Sequence, residues 1–342
     1  MKSRKVIIGS KLERKFINLV TIIYEFIFNK YLKIKKMPKL VEEQYALSIN
    51  NNDYSNYCIV IQGPILHNDN FTKNTILNYM KLYGNINIVL STWSDEKYNI
   101  NKEIFKFKNV YIIFSEKPAN YGIQNINLQI ISTLNGLLKA KELKCKFVLK
   151  TRTDQRFYKI DLFKYLDSYL FSYSSISEKL KYKLIVSSLN TYKYRLYGIS
   201  DMFMYGAIDD VILYWDSILD ERESIDYKLS NTQLEFSKLN ICEVYLTTNF
   251  LKKINHNIEW TLEDSWDIYS SYFIVLSKEL LQGYWYKYSR NLEDRFTIIS
   301  QTLSSDEFTF DDWHYCYYNK NKCVTEKDNQ YVNINFQEEI IE

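Results

Sequence analysis

The sequence predicts an α/β fold in which helices flank a largely parallel sheet. Short apolar segments, typical of buried strands, alternate with longer helical segments between residues 57 and 157. Each apolar segment ends in polar or turn-forming residues. Strands joined by crossover helices run parallel, so we expect these polar ends along one edge of the sheet, where open α/β sheets bind their ligands.

The predicted strands and helices follow one another in a regular order. We expect strands at residues 58–61, 87–91, 109–114 and 147–149, and helices at residues 74–83 and 125–143. The C-terminal part is expected to be rich in helices. The chain of 342 residues is long enough to bury a sizeable core.

The most informative stretch is Lys146–Phe157, where a short apolar strand turns abruptly into charged residues. Lys150, Arg152 and Asp154 place two cations and one acid within five residues. Such a group suits a site that holds a diphosphate, with or without a metal ion. A strand that leaves a core also has to end in polar residues, so the pattern alone leaves a purely structural interpretation open.

The turn after the first predicted strand, Gln62-Gly63-Pro64, is a second candidate for ligand contact. Gly63 allows the backbone to come close to a ligand, and Pro64 stiffens the exit from the strand. The turn is neither a G-x-G-x-x-G fingerprint nor a P-loop. Its composition therefore disfavours kinases and Rossmann dehydrogenases.

Several polar residues further along the chain have both a structural and a functional interpretation. Asn125, Asn127 and Gln129 open a predicted helix, where one amide suffices as a cap and three suggest contacts to a base or a sugar. Asp201 suits either a polar turn or a sugar hydroxyl. Glu243 opens another helix, where it complements the helix dipole or acts as a general base.

Near the C-terminus, Asp311-Asp312-Trp313-His314 combines two acids with one of the three histidines of the chain. His314 is a candidate metal ligand, the group could also contribute to a diphosphate site, and a surface turn is the simpler alternative. The five scattered cysteines do not have the paired spacing of a zinc site. They favour a reducing, cytoplasmic compartment.

Residues 12–36 are predicted to form one basic, amphipathic helix. Its apolar part, Phe16–Phe28, spans about 20 Å at the helical rise, short of the ~30 Å hydrocarbon core of a bilayer. Eleven Lys or Arg residues lie within residues 1–39, against two acids. We therefore expect peripheral contact with an anionic membrane surface, the alternative being a helix packed on the protein itself. The net charge of +3 gives no support to nucleic-acid binding.

Four ordered motifs carry a resemblance to a known family. They are V-I-Q-G-P-I at 60–65, L-S-T-W at 90–93, N-I-N-L-Q-I-I-S-T-L-N-G-L at 125–137 and L-K-T-R-T-D at 149–154. Together they resemble the WavE family of lipopolysaccharide-synthesis proteins, and S-D-M-F-M-Y-G at 200–206 and E-V-Y-L at 243–246 are similar to its later blocks. The resemblance covers about residues 57–250.

The resemblance implies a glycosyltransferase with a GT-A-like, Rossmann-type mixed sheet that acts on a bacterial surface glycan, either lipopolysaccharide or capsule. By position, Asp154 orients the donor diphosphate directly or through Mg²⁺ or Mn²⁺, Lys150 and Arg152 offset the phosphate charge, and Glu243 is the candidate base. T-R-T-D has one acid where such enzymes have D-x-D, so metal dependence stays open. The donor pocket is expected to include Gln62, Gly63, Pro64, Thr92, Asn127, Gln129 and Asp201.

We expect a basic helix and linker at residues 1–45 and a catalytic domain at residues 46–342. Its nucleotide-sugar-binding half is placed at 46–160 and its acceptor-binding half at 161–342. The acceptor is a glycan or a lipid-linked glycan, and the protein is expected at the inner face of the plasma membrane. Two alternatives stay open, a sugar nucleotidyltransferase and a non-catalytic, membrane-attached scaffold of glycan assembly.

Overall fold

A computed structural model describes residues 2–29, 31–32, 38–40, 53–98, 100, 107–175, 177–289, 306–320 and 322–335. The chain divides into two compact units, residues 1–39 and 40–342. Helix α1 of the first unit spans Lys2–Phe28, so it begins earlier than the predicted helix and also ends earlier. Asn29 has a φ of 50°, a left-handed conformation at which helices commonly end. Residues 30 and 33–36 of the predicted helix lie outside the described residues.

The apolar side chains of α1 are largely exposed. Leu12, Phe16, Leu19, Ile22 and Phe26 are each between 56% and 89% exposed. Within the described part of the chain, no helix combines the length and the apolar character needed to span a bilayer.

The second unit is built around a seven-stranded sheet in the order β3-β2-β1-β4-β7-β6-β8, with a two-stranded sheet of β5 and β9 beside it. Within the large sheet, β7 runs antiparallel to β4 and β6, and the other described pairs are parallel. The strands are β1 Tyr57–Gln62, β2 Asn87–Trp93, β3 Val110–Ser115, β4 Phe147–Arg152, β5 Gln155–Phe157, β6 Leu184–Ser187, β7 Met204–Ala207, β8 Phe273–Leu276 and β9 Gly283–Trp285.

Helices cover the sheet, and the C-terminal part is rich in them. The described helices after α1 are α2 Phe71–Tyr83, α3 Ile126–Glu142, α4 Leu162–Ser172, α5 Ile208–Trp215, α6 Gln233–Lys238, α7 Cys242–Lys253, α8 Leu262–Tyr272, α9 Lys278–Leu281, α10 Tyr286–Ser289, α11 Phe310–Tyr318 and α12 Glu326–Asn333. The predicted Rossmann-type α/β fold with a mixed sheet is therefore confirmed.

Close packing of α3 on the sheet fixes the position of the α3 N-terminus. A Cβ atom at Gly136 would approach Val60 Cγ1 of β1 to 2.5 Å and Ser91 Cβ of β2 to 3.1 Å. Only a glycine permits this approach without a shift of backbone or side chains. Ser132, one turn before Gly136, donates to the side chain of Gln62, so the N-terminal half of α3 lies beside the carboxyl end of β1.

The antiparallel direction of β7 determines which residues meet at this edge. Lys150 in β4 is the register partner of Met204, the first residue of β7. The segment that enters β7, which includes Asp201, therefore lies beside the point where β4 leaves the sheet. Residues far apart in sequence converge there from β1, β4 and β7.

Candidate functional site

The ends of β1 and β4 form the centre of the candidate site. Gln62 and Arg152 are register partners at the last positions of these strands. The backbone N–H of Thr153 donates to the carbonyl of Gln62 at 3.0 Å, and its carbonyl accepts a hydrogen bond from Thr72 of α2. These bonds fix the turn that follows β4, and with it the position of Asp154.

Arg152 and Asp154 form a bidentate ion pair beyond the end of β4. The Arg152 Nε atom lies 3.0 Å from Asp154 Oδ1, and Nη2 lies 3.2 Å from Oδ2. Burial raises the pKa of the Asp154 carboxyl, but the Arg152 guanidinium and the Trp285 indole outweigh burial, and the net effect is a lowered pKa. Burial opposes the charge of Arg152 as well, yet Asp154 raises its pKa. Both groups are therefore charged at neutral pH.

Trp285 of β9 completes this arrangement. Its indole N–H donates to Asp154 Oδ2 at 2.9 Å, and its ring centroid lies 5.9 Å from the Arg152 guanidinium. β9 pairs antiparallel with β5, with Trp285 opposite Gln155, and the N–H of Tyr286 donates to the Asp154 carbonyl at 3.0 Å. Trp285 could not be predicted as a site residue, because nothing in its local sequence indicates that β9 returns to the end of β4.

Lys150 has its partners in the protein interior. Its side chain is fully buried, its ammonium group donates to the backbone carbonyl of Asp201, and Nζ lies 4.3 Å from the ring centroid of Trp215. Burial lowers the pKa of Lys150 to about 8, while the Asp201 carboxylate acts in the opposite direction. Lys150 thus ties β4 to the segment before β7, and its predicted contact with phosphate stays a prediction.

Cys242, which belongs to no predicted site, contacts two predicted site residues. The Gln129 side-chain amide donates to its sulfur at 3.4 Å, and the sulfur lies 3.8 Å from Asp201 Oδ2. Glu243 is its neighbour at the start of α7. Burial raises the pKa of the Cys242 thiol, which therefore stays protonated at neutral pH. The structure thus brings Gln129 and Asp201 together at Cys242, the residue before Glu243.

The Glu243 carboxylate is buried and is held by two side chains. Asn190 donates its amide to Oε1, and Arg195 Nη1 lies 3.6 Å from Oε2. Oε2 has no hydrogen-bond partner among the described residues and is buried. This oxygen retains the capacity to accept a proton or a hydrogen bond, which a general base requires.

The turn after β1 is supported from β2. Gly63 has a φ of 112°, and its N–H donates to the Ser91 carbonyl at 3.0 Å. Thr92 donates to Glu96 Oε2 at 2.9 Å, and the same oxygen accepts the N–H of Ile65 at 2.8 Å. Thr92 therefore supports the turn through Glu96. Pro64 is exposed at its tip.

Among the other predicted pocket residues, Gln62 accepts a hydrogen bond from Ser132 of α3 at 2.8 Å. Asn127 bridges two loops, since its amide nitrogen donates to the carbonyls of Asn120 and Asp220 and its oxygen accepts the N–H of Asp220 at 2.7 Å. Asn125 is left-handed and makes no capping hydrogen bond with its side chain, so the capping interpretation is wrong for this residue. Donor contacts of Gln62 and Asn127 stay predictions.

His314 lies on α11, where its ring packs against Tyr318 with centroids 4.8 Å apart. The alternative of a surface turn is wrong for this segment, because Asp312 forms a capping box with Thr309 and Trp313 is fully buried. No group of three His, Cys, Asp or Glu side chains with metal-ligand geometry occurs among the described residues. Both Asp154 oxygens already accept hydrogen bonds. The described residues therefore do not fit a protein-built site for Mg²⁺ or Mn²⁺.

Comparison with known proteins supplies the family. Residues 57–341 match the family described as WavE lipopolysaccharide synthesis, which covers most of the chain. The match includes the stretch with Arg152 and Asp154 and extends through Glu243 and Trp285. No curated protein matches the chain significantly. The chain belongs to the WavE family, and this membership indicates a role in lipopolysaccharide synthesis.

Proposed function

We propose that this protein is a glycosyltransferase with a GT-A-like fold. It would move a sugar from a nucleotide-sugar donor onto a bacterial surface glycan, in lipopolysaccharide core, O-antigen or capsule. The observation that carries the proposal is the Arg152–Asp154 ion pair at the carboxyl end of β4. Ligands of open α/β sheets bind at this edge, and the chain belongs to a lipopolysaccharide-synthesis family.

The donor is assigned to the half of the domain at residues 46–160. Glycosyl transfer from a nucleotide sugar needs a cation next to the leaving phosphate. Arg152 supplies a permanent positive charge, and the turn at Gln62-Gly63-Pro64, in which Pro64 is exposed, follows the strand that pairs with β4. Two more residues are assigned to this side of the pocket. They are Thr92, which supports the turn through Glu96, and Gln129.

The acceptor is assigned to residues 161–342, with Glu243 as the base. The acceptor hydroxyl oxygen forms a bond to the anomeric carbon, and the bond from that carbon to the donor phosphate oxygen breaks. Its electron pair leaves with the phosphate, and the hydroxyl proton passes to the Glu243 carboxylate. Oε2 of Glu243 supports this role, because it accepts no hydrogen bond from the described residues, although Arg195 Nη1 lies 3.6 Å from it. Asp201 is suited to hold a sugar hydroxyl. No step uses a metal ion.

Helix α1 is proposed to rest on an anionic membrane surface. Its exposed apolar residues, Leu12, Phe16, Leu19, Ile22 and Phe26, suit the acyl boundary, and its Lys and Arg residues suit anionic headgroups. Such contact would place the enzyme next to lipid-linked acceptors. Deletion of residues 1–38 is expected to move the protein out of the membrane fraction. An unchanged distribution would rule this contact out.

Two rival functions are less well supported. A sugar nucleotidyltransferase would need basic residues after the first strand to bind a triphosphate, and residues 62–70 contain no Lys or Arg. A non-catalytic scaffold would not need a charged pair held in one orientation at the ligand-binding edge. Detectable hydrolysis of any sugar nucleotide would exclude the scaffold.

A thermal-shift panel tests the proposed function. UDP-, GDP-, CMP- and dTDP-sugars are added to the wild type and to Asp154→Asn, with and without Mn²⁺. A ligand that binds only the folded state raises its melting temperature. We expect a rise with one nucleotide class that is reduced in Asp154→Asn. No rise with any donor, in protein shown to be folded, would contradict donor binding.

A further inference from the structure

We propose that the guanidinium of Arg152 binds the donor phosphate and takes the role that a divalent cation has in metal-dependent glycosyl transfer. Asp154 and Trp285 position this guanidinium. The inference rests on the proposed function and deepens it, because it names the group that binds the leaving phosphate. It also predicts that donor binding does not depend on a metal ion.

Arg152 is the accessible cation of the stretch from Lys150 to Arg156. Lys150 is fully buried and donates to the Asp201 carbonyl. Arg156 is 2% exposed, and it donates from Nε to Thr75 and from Nη2 to the Phe71 carbonyl. By contrast, 27% of the Arg152 side chain is exposed.

One edge of the Arg152 guanidinium is held by Asp154 and another is left open. Nε and Nη2 donate to the two Asp154 oxygens. Nη1 has no hydrogen-bond acceptor among the described residues, and it belongs to a side chain that is 27% exposed. The Nη1–Nη2 edge is a planar fork whose geometry matches two phosphate oxygens.

The hydrogen bonds to the Asp154 carboxylate indicate that this residue orients Arg152 and does not ligate a metal ion. Arg152 reaches both of its oxygens, and Trp285 adds a third hydrogen bond to Oδ2. These three bonds use most of the roughly four acceptor positions of the carboxylate, and no group of three candidate metal ligands lies among the described residues. Asp154 and Trp285 are thus positioning residues, and Arg152 is the residue that touches the donor.

The chemistry requires no proton from Arg152. When the bond between the anomeric carbon and the phosphate oxygen breaks, the electron pair stays on that oxygen. Arg152 keeps its proton, because a guanidinium is not deprotonated in proteins, and it stabilises the new charge through hydrogen bonds. The same fork accommodates a nucleoside diphosphate or a nucleoside monophosphate as the leaving group.

The test measures affinities of UDP, GDP, dTDP and CMP by isothermal titration calorimetry with the full chain, once in EDTA and once in Mn²⁺. We expect one nucleotide to bind with the same Kd in both conditions. Arg152→Lys keeps the charge but loses the fork, and we expect it to weaken binding roughly 10- to 100-fold. Lys141→Gln, which removes an exposed surface ion pair, is the matched control and is expected to leave Kd unchanged.

Two further variants distinguish a loss of nucleotide binding from a loss of folding. Arg152→Gln combined with Asp154→Asn removes both charges and leaves no unpaired ion, and it should fold yet not bind the nucleotide. Trp285→Phe keeps the ring but loses the N–H, and we expect a smaller loss of affinity with binding still unaffected by Mn²⁺. Circular dichroism verifies the fold of each variant.

The outcomes separate this inference from the proposed function. Binding that requires Mn²⁺, survives Arg152→Lys and is lost in Asp154→Asn would overturn the role of Arg152 while nucleotide binding stands. Binding that survives the double variant would overturn it as well. No nucleotide binding in either condition, in folded wild type, would contradict both the inference and the proposed function.

Discussion

The indole N–H of Trp285 donates a 2.9 Å hydrogen bond to Oδ2 of Asp154, across 131 residues of sequence. This bond joins the end of β4 to the C-terminal strand β9. The candidate site is therefore complete only when β9 has paired with β5. The orientation of the Asp154 carboxylate, and through it that of Arg152, therefore depends on two segments that are far apart in sequence.

The contribution of the Asp154–Trp285 hydrogen bond to the free energy of unfolding can be tested with substitutions at Asp154. Asp154→Asn keeps a side chain of the same size and an oxygen that can accept the Trp285 hydrogen bond. We expect it to lower the free energy of unfolding by about 1 kcal/mol, and Asp154→Ala by roughly 2–3 kcal/mol, because Ala leaves both partners unsatisfied. Urea unfolding of the three proteins measures the difference. Equal stability of Asn and Ala variants would show that the Trp285 hydrogen bond contributes nothing.

Asn127 is expected to matter chiefly for stability. It makes three hydrogen bonds to the backbone of Asn120 and Asp220 and is 1% exposed. We expect Asn127→Ala to lower the free energy of unfolding by roughly 2–3 kcal/mol, since it leaves buried backbone groups unpaired. Asn125→Gly, at an exposed position of the same helix start where glycine tolerates the left-handed conformation, is the control and should change stability by less than about 0.5 kcal/mol. If Asn127→Ala were as stable as the control and raised only the donor KM, the bridging role would be refuted.

A pH-dependent contribution to stability is expected from His256. Its Nε2 atom lies 2.8 Å from Asp264 Oδ1, and this hydrogen bond raises the pKa of His256. A raised pKa means that the folded state binds the proton more tightly than the unfolded state. The stabilisation is therefore complete below the unfolded pKa of about 6.5 and is lost as the pH rises through the higher folded pKa.

His256→Gln keeps a hydrogen-bond donor but has no charge to gain. We expect the wild type to exceed this variant in unfolding free energy by roughly 1–2 kcal/mol near pH 5.5, and by clearly less near pH 8.5. Denaturant unfolding at the two pH values measures the difference. A gap between the proteins that stays constant with pH would contradict a charged pair.

The first four strands and two of the helices could be predicted because their apolar periodicity is local. The extension of β4 through Lys150 could not, since a buried lysine contradicts the strand pattern until its partners, the Asp201 carbonyl and the Trp215 ring, are known. The antiparallel direction of β7 also leaves no local signal. It is fixed by pairing with β4 and β6.

The residue types of the candidate site were visible in the sequence, but their partners were not. Arg152 and Asp154 lie two positions apart, so their proximity follows from the chain itself. Trp285 and Cys242 reach the site through tertiary pairing that no local pattern encodes. Asn127 was predicted to contact the donor, but its amide binds the backbone of a distant loop in the structure. The sequence could not distinguish these two roles, because an amide at a helix start suits either partner.

The most direct test of the central proposal is release of the nucleotide from sugar-nucleotide donors. UDP-, GDP-, dTDP- and CMP-sugars are incubated with the protein, with and without lipopolysaccharide core as acceptor, and free nucleotide is quantified by chromatography. We expect release from one donor class, slowed at least about 100-fold in Arg152→Gln and unchanged in Lys141→Gln. No release from any donor by correctly folded protein, or equal rates in Arg152→Gln and wild type, would contradict glycosyl transfer at this site.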